Sequence, residues 1–177
     1  MKTTLKILAV FVAMVGFSAA SYAQTNTATA TASGVILRPL TITNDVNMNF
    51  GNIASSASLG TITVAPSAAG TITASGGASV ATPAGSPTAA KYTLSGFESM
   101  AFTVTLPTGD HTVKSGTNDM IVNTFTSSIT GTTSGGSTTL VSGAYTLYVG
   151  ATLNVKASQA VGTYVSDGTF SVTVNYN

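Results

Sequence analysis

The chain has 177 residues, of which only 6 are basic and 5 acidic, and it contains neither cysteine nor tryptophan. The missing cysteines exclude disulfide staples, thiolate metal sites, a cysteine-linked lipid anchor and a cysteine nucleophile. Beyond Lys2 and Lys6 the cations are Arg38, Lys91, Lys114 and Lys156. Cations so dispersed form no basic patch, which excludes nucleic acid as a partner.

Lys2 and Lys6 give a positive start, Ile7 to Phe17 is an apolar run too short for a bilayer, and Ser21-Tyr22-Ala23 places small residues at a cleavage site. Residues 1–23 therefore read as a secretory signal peptide cut after Ala23. No later stretch is long enough for a membrane helix, so the expected mature chain, Gln24–Asn177, has no transmembrane segment. It is expected in the periplasm in transit and then at the cell surface or outside. Its four cations face Asp45, Glu98, Asp110, Asp119 and Asp167. A surface with so little charge is made polar by Thr, Ser and Asn.

Residues 24–33 form a low-complexity extension in which Ala28, Ala30 and Ala32 alternate with Thr27, Thr29 and Thr31. Methyls on one face and hydroxyls on the other suit a strand, whereas alanine itself suits a loose leader. Residues 34–177 read as one domain. Val35, Ile36, Leu37, Leu40 and Ile42 predict a strand interrupted by Arg38-Pro39, at an edge or with a kink, because proline cannot donate to a ladder. Asn44-Asp45 reads as a turn, followed by alternating Val46, Met48 and Phe50. Ile62 and Val64, then Ile72, mark two further strands. Ser75–Pro87 is rich in Gly, Ala, Ser and Pro and reads as a loop or a short edge strand around Val80.

Tyr92 and Leu94 alternate with Lys91 and Thr93. Met100, Phe102, Val104 and Leu106 give the cleanest alternation and stop at Pro107. Thr108–Asn118 is polar and turn-rich. Ile121, Asn123, Phe125 and Ile129 suggest a longer strand, with Asn123 out of character. Gly131–Ser137 reads as a flexible loop. Tyr145, Leu147, Val149, Ala151, Leu153 and Val155 alternate through Gly150, a position for a bulge or a close approach. The last stretch alternates Phe170, Val172, Val174 and Tyr176 with Ser171, Thr173 and Asn175. Asp167-Gly168 signals a turn joining Tyr164–Val165 to that strand as a hairpin or bulged corner. Short strands with turns between them and no helical periodicity indicate an all-β fold, a Greek-key sandwich ahead of a barrel.

Chemistry is sparse. His111 is the only histidine and has no nucleophile or partner in its run. Asp110, Asp119 and Asp167 stand beside Gly, His, Asn or Ser as turn residues rather than in a calcium-loop spacing. Glu98 has no second carboxylate near it in sequence, and no nucleotide, nucleophile-elbow or zinc-protease motif occurs. The expectation is a protein that is not an enzyme, with no catalytic residue, cofactor or metal.

Met48-Asn49-Phe50-Gly51-Asn52-Ile53, the run Gly60–Pro66, Tyr148–Leu153 and the end Gly168–Tyr176 together resemble the secreted bacterial "domain of unknown function 4402" family. That family is similar to spore coat protein U domains and to archaic chaperone–usher pilins. The resemblance implies an incomplete immunoglobulin-like sandwich that assembles by donor-strand exchange, one subunit's leader filling the next subunit's groove. It implies Ala28, Ala30, Ala32 and Val35 as donor residues and Phe170, Val172, Val174 and Tyr176 as the acceptor strand. Self-association into a polymer, a periplasmic chaperone and an outer-membrane usher are the partners it implies. Two features depart from the pilins. Their disulfide is absent, and alanines give about 1.5–3 kcal/mol less burial per position than Val or Leu. The expected function is a surface structural subunit of a fimbria-like assembly. The competing expectation is a monomeric adhesin or ligand-binding module using the loops Ser75–Pro87 or Thr108–Asn118.

Overall fold

The structure, a computed structural model, describes residues 26–129, 133 and 135–177. The signal-peptide reading and part of the Gly131–Ser137 loop fall outside those residues. The chain divides between Val35 and Ile36. Residues 26–35 have no regular secondary structure and are exposed. All the strands described lie in the second unit, and no helix occurs among the described residues.

The strands are β1 (Thr41–Val46), β2 (Ile53–Val64), β3 (Ile72–Val80), β4 (Ala90–Ser95), β5 (Ala101–Thr105), β6 (His111–Ser115), β7 (Asn118–Ser127), β8 (Gly136–Thr139), β9 (Ala144–Val155), β10 (Val165–Ser166) and β11 (Thr173–Tyr176). They form two antiparallel sheets. The larger runs β1-β4-β9-β7-β6-β10, with β2 on β9 and β3 outside β2; the smaller is β11-β5-β8. The fold is an all-β sandwich. Its core forms where Phe102 and Val104 of the small sheet meet Leu94, Leu147 and Val149 of the large one, all fully buried. The Phe102 and Tyr145 rings meet edge-on across the two layers, centroids 5.4 Å apart, a favourable aromatic geometry.

Strand β9 organises the large sheet. Val149 pairs with Ala90 on one edge and Ser127 on the other, and Leu153 pairs with Ile62 and Val122. Strands β4 and β2 thus follow one another along the same edge of β9, and Gly150 sits at their junction. A Cβ there would run into the Val64 carbonyl and lie 2.8 Å from the Pro66 nitrogen. The close approach expected at Gly150 is present, and only glycine allows it.

Several expectations need correction. The strand predicted through Val35 begins only at Thr41, beyond Pro39. Asn44-Asp45 is not a turn but a register shift inside β1. Of Ser75–Pro87, residues 75–80 belong to the edge strand β3, the strand alternative of that reading, and the rest is irregular, whereas the predicted loop Thr108–Asn118 contains β6 at His111–Ser115. Gly136 and Ser137, read as the end of the Gly131–Ser137 loop, open strand β8 instead. Val165 pairs with Lys114 on β6, so the Asp167-Gly168 turn does not close a hairpin with the final strand. Strand β7 shows why Asn123 looked out of place. Its register shifts between Asn123 and Thr126, where Thr124 takes a left-handed φ of 53°. The extra residue reverses the phase: Met120 and Val122 face the core before the bulge, Phe125 and Ser127 after it, while Ile121 lies on the other face.

A candidate strand-accepting groove

The final strand occupies the edge of the small sheet. Val174 pairs with Val104 and Tyr176 with Phe102, and among the described residues no strand pairs with the opposite edge of β11. Phe170, Val172, Val174 and Tyr176 all pack against the core yet remain only half-buried. An edge of this kind presents unpaired backbone groups beside apolar side chains.

The Tyr176 hydroxyl joins two parts of the chain. It accepts from the Phe97 N–H at 2.6 Å and donates to the Arg38 carbonyl at 2.9 Å. The approach to β1 and the end of β11 therefore converge here. Farther along, the run from the end of β1 into β2 (residues 47–55) and the run before β11 (residues 159–170) line a cavity of about 1010 Å³. Met48, Phe50 and Ile53 of the first run and Tyr164 and Phe170 of the second are among its lining. The floor is the inner face of the large sheet, including Tyr92, Met120, Val122, Leu153 and Val155. The cavity follows from the mismatch in sheet width: three strands cannot cover a face built by eight.

Each run is fixed from outside. Asn49 pairs with Thr88, and the Asn52 amide N–H donates to the Ala84 carbonyl at 2.8 Å. In the second run the Asp167 N–H donates to Thr112 at 2.9 Å, and Lys114 forms an ion pair with Asp167. The Tyr164 hydroxyl donates to the Ala160 carbonyl at 2.7 Å and accepts from the Gln159 amide at 2.7 Å. His111 and Phe170, both lining the cavity, pack with the core ring of Phe125: the Phe125 and Phe170 centroids lie 4.9 Å apart, and His111 meets both rings edge-on at 5.3 and 5.9 Å. No Asp, Glu, Lys or Arg is among the lining residues. Burial pushes the Tyr92 phenol above its usual value, because the charged form loses water.

Of the four residues singled out at the chain's end, only Val174 and Tyr176 lie on β11; Phe170 and Val172 precede it without strand structure, all four are half-buried against the core, and Phe170 lines the cavity. The candidate donors Ala28, Ala30, Ala32 and Val35 lie in the exposed stretch without strand structure. His111 sits on β6 rather than in a loop, packed as an aromatic ring. Met48 and Phe50 did not figure among the candidate site residues although their alternation was legible. Tyr164 carried no signal beyond being aromatic. No cluster of His, Cys, Asp or Glu suited to a metal occurs among the described residues.

Fold and cavity define a class: a β-sandwich whose wider sheet keeps part of its apolar inner face as the floor of a cavity lined by residues 47–55 and 159–170. The model of the family described as "Domain of unknown function (DUF4402)" matches residues 40–176, and the chain belongs to that family. No curated protein and no solved structure matches it.

Proposed function

We propose that this protein is a secreted, non-enzymatic structural subunit of the cell surface that polymerises by strand donation. The residue 24–35 segment of one copy fills the cavity of the next and pairs with the free edge of β11. The observation that carries the reading is that half-buried edge, running beside a cavity floored by core residues. In an immunoglobulin-like reading of the sandwich, this is the place of an absent strand between the first and last ones. Charge agrees: neither the cavity lining nor residues 24–35 hold an acidic or basic side chain. A strand added there gains main-chain hydrogen bonds along β11 and buries apolar side chains against the floor. The resemblance to chaperone–usher pilins supports the same reading and implies a chaperone that shields the groove during export, then an usher.

Deleting residues 24–33 is the test. The intact mature chain is expected to give a ladder of SDS-resistant multimers, and the deletion variant a folded monomer. Normal multimers from the deletion variant would end the proposal. A second reading has its own support, since about 1010 Å³ lies at the upper end of small-molecule cavities. A mature chain that stays monomeric at all concentrations, with its cavity binding an apolar probe dye, would favour that ligand-binding module.

A further inference from the structure

The pole of the sandwich where Tyr176 meets Arg38 carries exposed apolar side chains that the groove does not use. The backbone holds the surrounding loops firmly. The Gly96 N–H donates to Gly143 at 2.9 Å and the Ser99 N–H to Leu140 at 3.0 Å, while Ala144 donates to Val141 at 3.0 Å. The Phe97 N–H is bound to the same Tyr176 hydroxyl that holds Arg38. Ile36, Leu37, Phe97 and Val141 are thereby gathered at one end. Ile36 is 97% exposed and Val141 73%. Single exposed apolar residues are ordinary, but several on one rigid end are not. Arg38 and Glu98, beside Leu37 and Phe97 in sequence, supply charge next to the patch. An apolar centre with a polar rim is the composition of a protein interface.

We propose that this pole docks against a second copy of the chain, at the lip of the groove that receives its leader. The inference rests on the strand-donation reading and adds a surface to it. The reason is reach. Tyr176 holds Arg38, and Arg38 is only three positions from Val35, a span of about 10 Å when extended. With the leader seated up to Val35, the pole cannot stand off from the recipient by more than that. Its apolar side chains are then covered by the recipient. Because the loops are already fixed, docking costs little ordering entropy. The polymer is therefore a chain of abutting domains rather than beads on loose string.

The cysteine-free sequence makes the test direct. Val141→Cys carries an environment-sensitive thiol fluorophore, with Thr146→Cys, on the exposed face of β9, as the reference site. On multimer formation the Val141 probe is expected to shift to the blue and to become protected from an aqueous quencher, with the Thr146 probe unchanged. The Phe97→Ser, Val141→Ser double variant is expected to form multimers roughly tenfold more slowly at fixed concentration. Leader-dependent multimers in which the Val141 probe stays as quenchable as in the monomer would overturn the docking surface and leave strand donation standing. Absence of leader-dependent multimers from the intact chain would overturn both.

Discussion

Removing the Tyr176 hydroxyl tests whether the clamp at the end of β11 matters to the fold. Tyr176→Phe keeps the ring against the core and deletes two hydrogen bonds, the one from Phe97 at 2.6 Å and the one to Arg38 at 2.9 Å. Each such bond contributes about 0.5–1.5 kcal/mol net, and half-exposure lets water replace part of it. The expected loss is therefore about 1–2 kcal/mol. Gly96 provides the control. A Cβ at that position would collide with the Tyr176 hydroxyl and lie 2.8 Å from Leu140 Cδ1. Gly96→Ala must push the hydroxyl off both partners, so its cost is expected to shrink in the Tyr176→Phe background. Urea unfolding of the four proteins of this double-mutant cycle would show a coupling of about 1 kcal/mol between the sites. Additive costs, or a Tyr176→Phe change under about 0.3 kcal/mol, would refute the clamp. A weakened clamp is also expected to raise the rate of proteolysis at residues 36–40.

Phe125→Ala should destabilise by about 3–5 kcal/mol, because the ring is buried and supports Phe170 at 4.9 Å; circular dichroism melts would reveal a loss below 2 kcal/mol as a contradiction. Gly150→Val should prevent folding or cost several kcal/mol, since its side chain meets backbone at Val64 and Pro66 with no room to yield; a soluble variant with native stability would contradict the β4–β2 junction. Lys156, 2.8 Å away, holds the Asp119 carboxyl below its ordinary 3.8. A lowered folded-state value means the contribution is present above 3.8 and lost as pH falls through the folded value. Acid titration of stability should therefore show a small step that Lys156→Ala abolishes and added salt weakens. Lys114 is raised from 10.5, chiefly by its hydrogen bond with Asp167. Its contribution is present below 10.5 and lost as pH rises through the folded value, so Asp167→Asn should remove a small alkaline step in the unfolding midpoint.

Alternation made β4, β5 and most of β9 legible, because each buries one face and the side-chain period is two. The same rule misled at β7, where Thr124 inserts a residue and exchanges the faces. Strands β6 and β8 escaped notice for another reason. Their members, such as Thr112, Lys114, Ser137 and Thr139, are polar on the exposed face, and Gly136 reads as a loop residue. Only their hydrogen-bonded neighbours make them strands. The all-β class, the close approach at Gly150 and the apolar face of Phe170, Val172, Val174 and Tyr176 were local properties, written in residues a few positions apart. What the tertiary structure alone decided is which edge meets which. Tyr176 lies against Phe102 and binds Arg38, and Val165 leaves for β6 instead of folding back on β11. Such pairings join residues far apart in the chain, and a backbone hydrogen bond looks the same with any partner. The cavity beneath Phe50 and Phe170 appears only after both sheets have formed, when the narrower one fails to cover the wider.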